Sequence, residues 1–126
     1  MNDLNNKIEI ASKLITESKK VIVMTGAGIS VDSGVQTYQG TECLWERFVK
    51  PKMNAYSDFL KNPNEWWDRE INHQRSPYVL ELRNAIENSR PNEGHKILQS
   101  LENKKIINSI ITQNIDGLHI DAGNKS

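Results

Sequence analysis

Cysteine is almost missing from this sequence: Cys43 is the single one in 126 residues. An internal disulfide is therefore excluded, and so is a thiolate-rich zinc site built from this chain alone. No neighbouring base marks Cys43 as a nucleophile. Such usage fits a reducing compartment, and the expected location is cytoplasmic. Excess charge of one sign is missing as well. Sixteen Lys and Arg balance sixteen Asp and Glu, which leaves no basic face for a polyanion and argues against a nucleic-acid partner. No apolar run approaches the roughly 18 residues of a membrane span, and the polar start MNDLNNKIEI lacks the basic and apolar regions of a signal peptide. No membrane association is expected. With 37% hydrophobic and 25% charged residues, the chain is polar but well within the range of folded domains, and its length predicts one.

What is present alternates between helical and strand patterns. Ile8, Ala11, Leu14 and Ile15 predict an amphipathic helix over 5–20, closed by Lys19 and Lys20. Val21-Ile22-Val23-Met24 is a short, β-branched apolar run that predicts a strand buried on both faces, as in parallel sheets. Four of the seven glycines follow, at 26, 28, 34 and 40, and predict a loop with room for a helical turn. Helix starts are expected at Ser57, at Asn62-Pro63 before Trp66 and Trp67, at Ser76-Pro77 before Val79, Leu82 and Ile86, and at Pro91-Asn92 before Ile97, Leu98 and Leu101. A second strand is expected over 106–111, delivering Thr112-Gln113-Asn114-Ile115-Asp116-Gly117 at its end.

Ligands of open α/β sheets sit beyond the carboxyl ends of the strands. TGAGIS and TQNID both fall at such ends, so the two segments can line one crevice. Glycines after a strand let backbone N–H groups approach a phosphate closely. Gly26-Ala27-Gly28 alone matches neither GxGxxG nor the P-loop pattern, and a tight turn without a ligand explains it equally well.

The longer pattern is far more specific. The run from Gly26 to Gly34, GAGISVDSG, is followed by Tyr38 and Gly40, Leu44-Trp45, Pro91-Asn92 with His95, TQNIDGLH from Thr112 to His119, and Ala122-Gly123. In this order they resemble the sirtuin family of NAD-dependent protein deacylases. The resemblance implies an α/β fold, a partial Rossmann-like parallel sheet with an inserted small helical module. Residues 1–126 would form the N-terminal portion of the domain, with the cofactor loop and helical insertion at about 44–90.

The same resemblance implies a site. Gly26, Ala27, Gly28, Ile29 and Ser30 would form the cofactor-binding turn, with Ala27, Gly28 and Ser30 against the NAD phosphates and neighbouring ribose. Ser33 and Gly34 would shape the entry to a cofactor loop that carries Tyr38 and Gln39 and ends near Trp45. Gln113 and Asn114 would hold the nicotinamide ribose through uncharged amides able to donate and accept. Ile115 and Asp116 would face the nicotinamide, with Asp116 accepting from its carboxamide. Asn114 and Asp116 would support catalysis without supplying the base, and no metal ligand is expected. In the family the base histidine and four zinc-binding cysteines come later than this motif, and the sequence given stops at Ser126. A chain of this extent is expected to be inactive alone and to leave a sheet edge and apolar faces open.

The implied reaction is removal of an acyl group from a protein lysine with NAD, releasing nicotinamide and O-acyl-ADP-ribose. Its partners would be NAD and an acyl-lysine protein. A non-catalytic NAD or ADP-ribose binding module and a fragment of a sirtuin-like NAD hydrolase stay open as alternatives. Two positions depart from the family pattern: Gln36 stands for a proline and Gln39 for an arginine. Loss of that arginine removes a forked, charged donor worth roughly 1.5–3 kcal/mol, about tenfold or more in affinity. Thr37 is the choice of a branch that removes acidic acyl groups. That branch carries Tyr-x-x-Arg where this chain has Trp67 and Glu70, and a carboxylate there would repel a succinyl group, leaving acetyl as the default. His95 and His119 are expected to be structural, His73 to be at the surface, and Trp45, Trp66 and Trp67 to pack within the helical module.

Overall fold

In chain order the elements are α1 (Asn2–Glu17), β1 (Ile22–Thr25), a 3₁₀ helix (Ala27–Ser33), α2 (Ala55–Lys61), α3 (Pro63–Ile71), α4 (Pro77–Asn88), α5 (Glu93–Asn103), β2 (Ser109–Thr112) and α6 (Leu118–Asp121). The structure is a computed structural model that describes residues 2–37, 46, 48, 54–72 and 77–125. They divide into two units, Met1–Ser33 with Arg90–Ser126, and Gly34–Ser89. Among the described residues no helix is long and apolar enough to cross a membrane.

The first unit is organised by a parallel pair of strands. β1 and β2 run in register from Ile22 opposite Ser109 to Thr25 opposite Thr112. A parallel pair needs a long crossover, and here it takes in everything from the 3₁₀ helix to α5. Both strands start later than their apolar runs predict. Val21 is held outside β1 by Asn108, whose N–H donates to the Val21 carbonyl at 2.8 Å while its Oδ1 accepts from the Val21 N–H at 2.8 Å. Ile106 and Ile107 both donate to the Leu101 carbonyl, at 3.0 and 3.4 Å. They therefore finish α5 and do not begin β2.

The expectation of a strand buried on both faces is corrected. Ile22 and Met24 are exposed, Met24 by 69%, and so is Ile111, the register partner of Met24. Nothing among the described residues covers that face of the sheet. Helix α1 also differs from its expected bounds. It begins at Asn2 with Asp3 in its first turn, paired to Lys7 at 2.6 Å. It ends where the Ser18 hydroxyl donates back to the Leu14 carbonyl, so Lys19 and Lys20 lie beyond the last turn. The periodicity was that of a helix, but Leu4, Ile8 and Leu14 on its apolar stripe face solvent.

Few described residues are fully buried, and most of those are polar. Ile107 and Leu118 are the buried hydrophobic residues of the first unit, against Thr25, Ser30, His95, His119 and Asn124. Burying Leu118 contributes about 1.5–3 kcal/mol. The polar groups require partners to be tolerated there: Thr25 meets His119, Ser30 meets Asp116, His95 meets Asn92, and Asn124 Nδ2 donates to Glu102 of α5 at 2.8 Å.

The second unit contains α2, α3 and α4. Helix α2 starts two residues before Ser57, and the Ser57 hydroxyl donates to the Asn54 carbonyl at 2.8 Å instead of capping an N–H. Helix α3 starts at Pro63, where the pattern placed it. Asn62 caps it, its Oδ1 accepting from the Glu65 N–H at 3.3 Å and its Nδ2 donating to Glu65 Oε2 at 2.9 Å. Helix α4 starts at Pro77; Ser76, its expected cap, lies outside the described residues, as does His73. Val79, Leu82 and Ile86 are half-buried along one side of α4.

Candidate functional site

Because β1 and β2 are parallel neighbours, the segments that leave them emerge side by side. The ladder continues one step past the strands, with the Gln113 N–H donating to the Thr25 carbonyl at 3.1 Å. Beyond that point both chains turn. The β1 segment winds into the 3₁₀ helix, and the β2 segment reaches Gly117, which adopts φ +74 and starts α6. That left-handed conformation is accessible to glycine without the steric cost it has for other residues.

Three side chains bind the two turns together. Asn114 Nδ2 donates to the Gly26 carbonyl at 3.0 Å and to Ser30 Oγ at 3.2 Å. Ser30 Oγ, fully buried, donates in turn to Asp116 Oδ2 at 2.6 Å. The other carboxylate oxygen, Asp116 Oδ1, accepts from the Leu118 N–H at 3.0 Å and so caps α6. The result is a directed chain from amide to hydroxyl to carboxylate, in which each bond polarises the next. Next to it, the 112–120 segment lines a groove of about 210 Å³ that includes Asn114, Ile115 and Asp116. Ile115 is 79% exposed at that mouth.

Asn92 fixes the turn from the other side. Its Oδ1 accepts from the N–H groups of Gly94 and His95, capping α5, and its Nδ2 donates to the Ile29 carbonyl at 2.7 Å and to Ser33 Oγ at 3.0 Å. One amide thus satisfies two helix N–H groups and two acceptors of the 3₁₀ helix. The Pro91-Asn92 signal located the helix start but gave no sign that the same side chain reaches the glycine turn 63 positions away. A glycine-rich turn needs an external anchor, and a capping Asn retains two N–H groups with which to supply one.

Below these groups lie two buried histidines, as the sequence led one to expect. His95 Nδ1 sits 3.3 Å from the Asn92 N–H, completing a reciprocal capping box. His119 Nε2 is 2.9 Å from the Thr25 hydroxyl. The two rings meet edge to face at 4.9 Å. His95 Nε2 and His119 Nδ1 have no hydrogen-bond partner among the described residues. Burial, and secondarily the neighbouring His119, holds the His95 pKa below its ordinary 6.5, against a smaller opposing pull from Asp116.

The structure therefore brings together Gly26, Ala27, Gly28, Ile29, Ser30 and Ser33 with Gln113, Asn114, Ile115 and Asp116 in one unit. Gln113 is exposed there, and Ser33 is engaged by Asn92. Gly34 opens the second unit with φ +86. Tyr38, Gln39 and Trp45 lie outside the described residues.

The chain is similar to known proteins over most of its length. The chain is 32% identical over 122 residues to NAD-dependent protein deacylase 2 of Archaeoglobus fulgidus, covering 97% of this chain and 44% of that protein. It is 39% identical over 118 residues to an NAD-dependent protein deacetylase of Saccharolobus solfataricus, covering 94% and 43%. Among solved structures, a Sir2 homologue mutant in complex with ADP ribose superposes with a TM-score of 0.71 at 32% identity, over 93% of this chain and 43% of that one. A Sir2 with a p53 peptide and NAD+ gives 0.65 at 29%, over 94% and 42%. The chain thus spans less than half the length of the relatives it matches. Residues 26–126 fit the sequence profile of the Sir2 family, and with the paired strand ends and the TQNIDG network in place, the chain belongs to that family.

Proposed function

We propose that this chain forms the phosphate and nicotinamide-ribose side of an NAD site in a protein lysine deacylase. The observation that carries this is the bare turn beside the Asn114–Ser30–Asp116 chain. A Cβ placed on Gly26 or Gly28 would meet no heavy atom within 4 Å, so the backbone there borders free space at the end of a parallel strand. Such a turn suits phosphates. Ala27, Gly28 and Ser30 would hold them, Gln113 and Asn114 the ribose, and Ile115 and Asp116 the nicotinamide. NAD held by these residues would supply an electrophilic ribose carbon with nicotinamide as its leaving group.

The chain's own hydrogen bonds refine those roles. Asn114 Nδ2 already donates to Gly26 and Ser30, so what Asn114 has left for a ribose hydroxyl is its Oδ1, an acceptor. Donation to the ribose falls to the exposed Gln113 amide. Each Asp116 oxygen has one donor, from Ser30 or Leu118, and retains lone-pair capacity for a carboxamide N–H. Its charge favours a cationic pyridinium beside it. Ile115 shields one side of that position from water. The single Cys43 cannot make the four-thiolate zinc site that the family resemblance implies, and zinc has no part in what is proposed for this chain.

Because relatives of more than twice this length are NAD-dependent deacylases and deacetylases, lysine deacylation is proposed for the whole domain and cofactor binding for this chain. Acetyl is the proposed acyl group, an acetyl-lysine protein the substrate, and the cytoplasm the location. Binding without turnover is the second reading. It is favoured by the burial of His95 and His119, the histidines among the described residues, inside the fold.

A thermal melt of the 126-residue chain with and without NAD tests the binding claim, since a ligand that binds only the folded form raises the midpoint. A cooperative transition displaced upward by NAD and by ADP-ribose is expected. A cooperative transition that neither ligand moves would refute it.

A further inference from the structure

Four aromatic side chains of the second unit form a feature that cofactor binding does not use. Across α2 and α3, Tyr56 and Phe59 stack at 6.4 Å and 24°. Phe59 meets Trp66 edge to face at 5.5 Å and 86°, and Trp66 meets Trp67 at 4.9 Å and 90°. Two successive right-angle changes of ring plane set up walls, and the groove they border has a volume of about 360 Å³. Among the described residues its lining is these four rings alone. Rings in a packed core would be buried, yet Tyr56 is 74% and Trp67 53% exposed.

The chemistry of the walls selects the occupant. A neutral alkyl chain gains equally from aliphatic neighbours and has no need of four aromatic rings. Ring faces carry negative potential and attract cations, Trp most strongly. The local sequence leans the same way: residues 55–69 carry three carboxylates against two cationic side chains, and Glu65 and Asp68 flank the tryptophan pair in sequence. Lys61 is paired with Asp58 at 3.1 Å, which occupies one of those two cations. A primary ammonium entering such a groove would forfeit water at three N–H donors with few acceptors in exchange. A quaternary ammonium has no N–H to leave unsatisfied.

We propose that the Tyr56–Phe59–Trp66–Trp67 groove binds a quaternary ammonium head group. The site lies within the helical unit and is independent of the NAD assignment. The test is a titration of the full chain with choline and, separately, with its neutral carbon isostere dimethylbutanol, read from the indole N–H resonances of Trp66 and Trp67. Choline is expected to shift both saturably and to bind at least about tenfold more tightly than the isostere. Trp67→Ala is expected to abolish the shift at Trp66, and Trp67→Phe, which keeps an aromatic wall, to weaken binding without abolishing it. A peptide bearing trimethyl-lysine distinguishes the source: tighter binding than choline identifies a protein-borne head group, and equal binding a free one. Equal affinity for choline and the isostere would overturn the proposal, as would no saturable response to choline. Both comparisons use the unmodified chain and hold even if Trp67→Ala fails to fold.

Discussion

The Ser30 hydroxyl donates to Asp116 Oδ2 at 2.6 Å across 86 positions of sequence, and this bond joins the glycine turn to the TQNIDG turn. A hydrogen bond to a charged acceptor contributes about 1.5–3 kcal/mol. Ser30→Ala should therefore lower unfolding free energy by roughly that amount, leaving an Asn114 N–H and an Asp116 lone pair without their buried partner. Because the two side chains touch, a double-mutant cycle with Asp116→Ala should return a coupling of about 1–3 kcal/mol. Urea unfolding of the four proteins measures it, and additive effects would show that the bond does not hold the turns together.

Asn92 is expected to serve two purposes that substitutions can separate. Asn92→Ala removes the α5 cap and the bonds to Ile29 and Ser33, for a loss of about 2–3 kcal/mol. Asn92→Asp keeps an oxygen for the Gly94 and His95 N–H groups but has nothing to donate to the Ile29 carbonyl. Its stability should fall between those of the parent and the alanine variant, again by urea titration. If the aspartate variant matches the parent, the anchoring of the turn carries no weight.

These contacts also show what the sequence could and could not disclose. Asn62-Pro63 and Pro91-Asn92 mark helix starts that the structure confirms, because a cap is a local event whose donor, acceptor and backbone lie within four residues. The strand bounds depart from the apolar runs for the opposite reason. Val21 leaves β1 because of Asn108, 87 positions away, and no pattern in either apolar run encodes that clasp. The composition of β1 likewise predicts burial on both faces, whereas Ile22 and Met24 face solvent. Composition describes what a strand is suited to, not what covers it. The site was legible as two motifs at two strand ends; the hydrogen-bond chain joining them, and Asn92 beside it, became visible only in three dimensions.

Stability should depend on pH through His95. Burial, and then His119, holds its folded pKa below 6.5, the value expected when unfolded. As pH falls past 6.5 the unfolded chain takes up the proton first, so it binds more protons than the native state and stability declines. The contribution is thus full above pH 6.5 and is lost below it, until the lower folded pKa is passed. Unfolding midpoints across pH 5 to 8, about one and a half units to either side of an unperturbed histidine, should show this slope. His95→Gln should flatten it even if that variant is less stable throughout. An unchanged slope in the variant would assign the effect to other groups.

Gly28→Ala separates folding from cofactor binding. Gly28 lies in the 3₁₀ helix with no positive φ, and a Cβ there meets nothing within 4 Å. The methyl group should therefore be accepted by the fold, and by restricting the unfolded chain it should leave stability unchanged or raise it by about 0.4–1 kcal/mol. The same methyl projects into the space assigned to the NAD phosphates, where close backbone approach is what the turn provides. The variant should melt at or above the parent midpoint without NAD and show a much smaller upward displacement when NAD is added. Gly34→Ala is the contrasting case: at φ +86 it should cost about 1 kcal/mol or more in stability through backbone strain alone. A Gly28→Ala protein that responds to NAD as fully as the parent would move the phosphates away from this turn, whatever the response of Gly34→Ala.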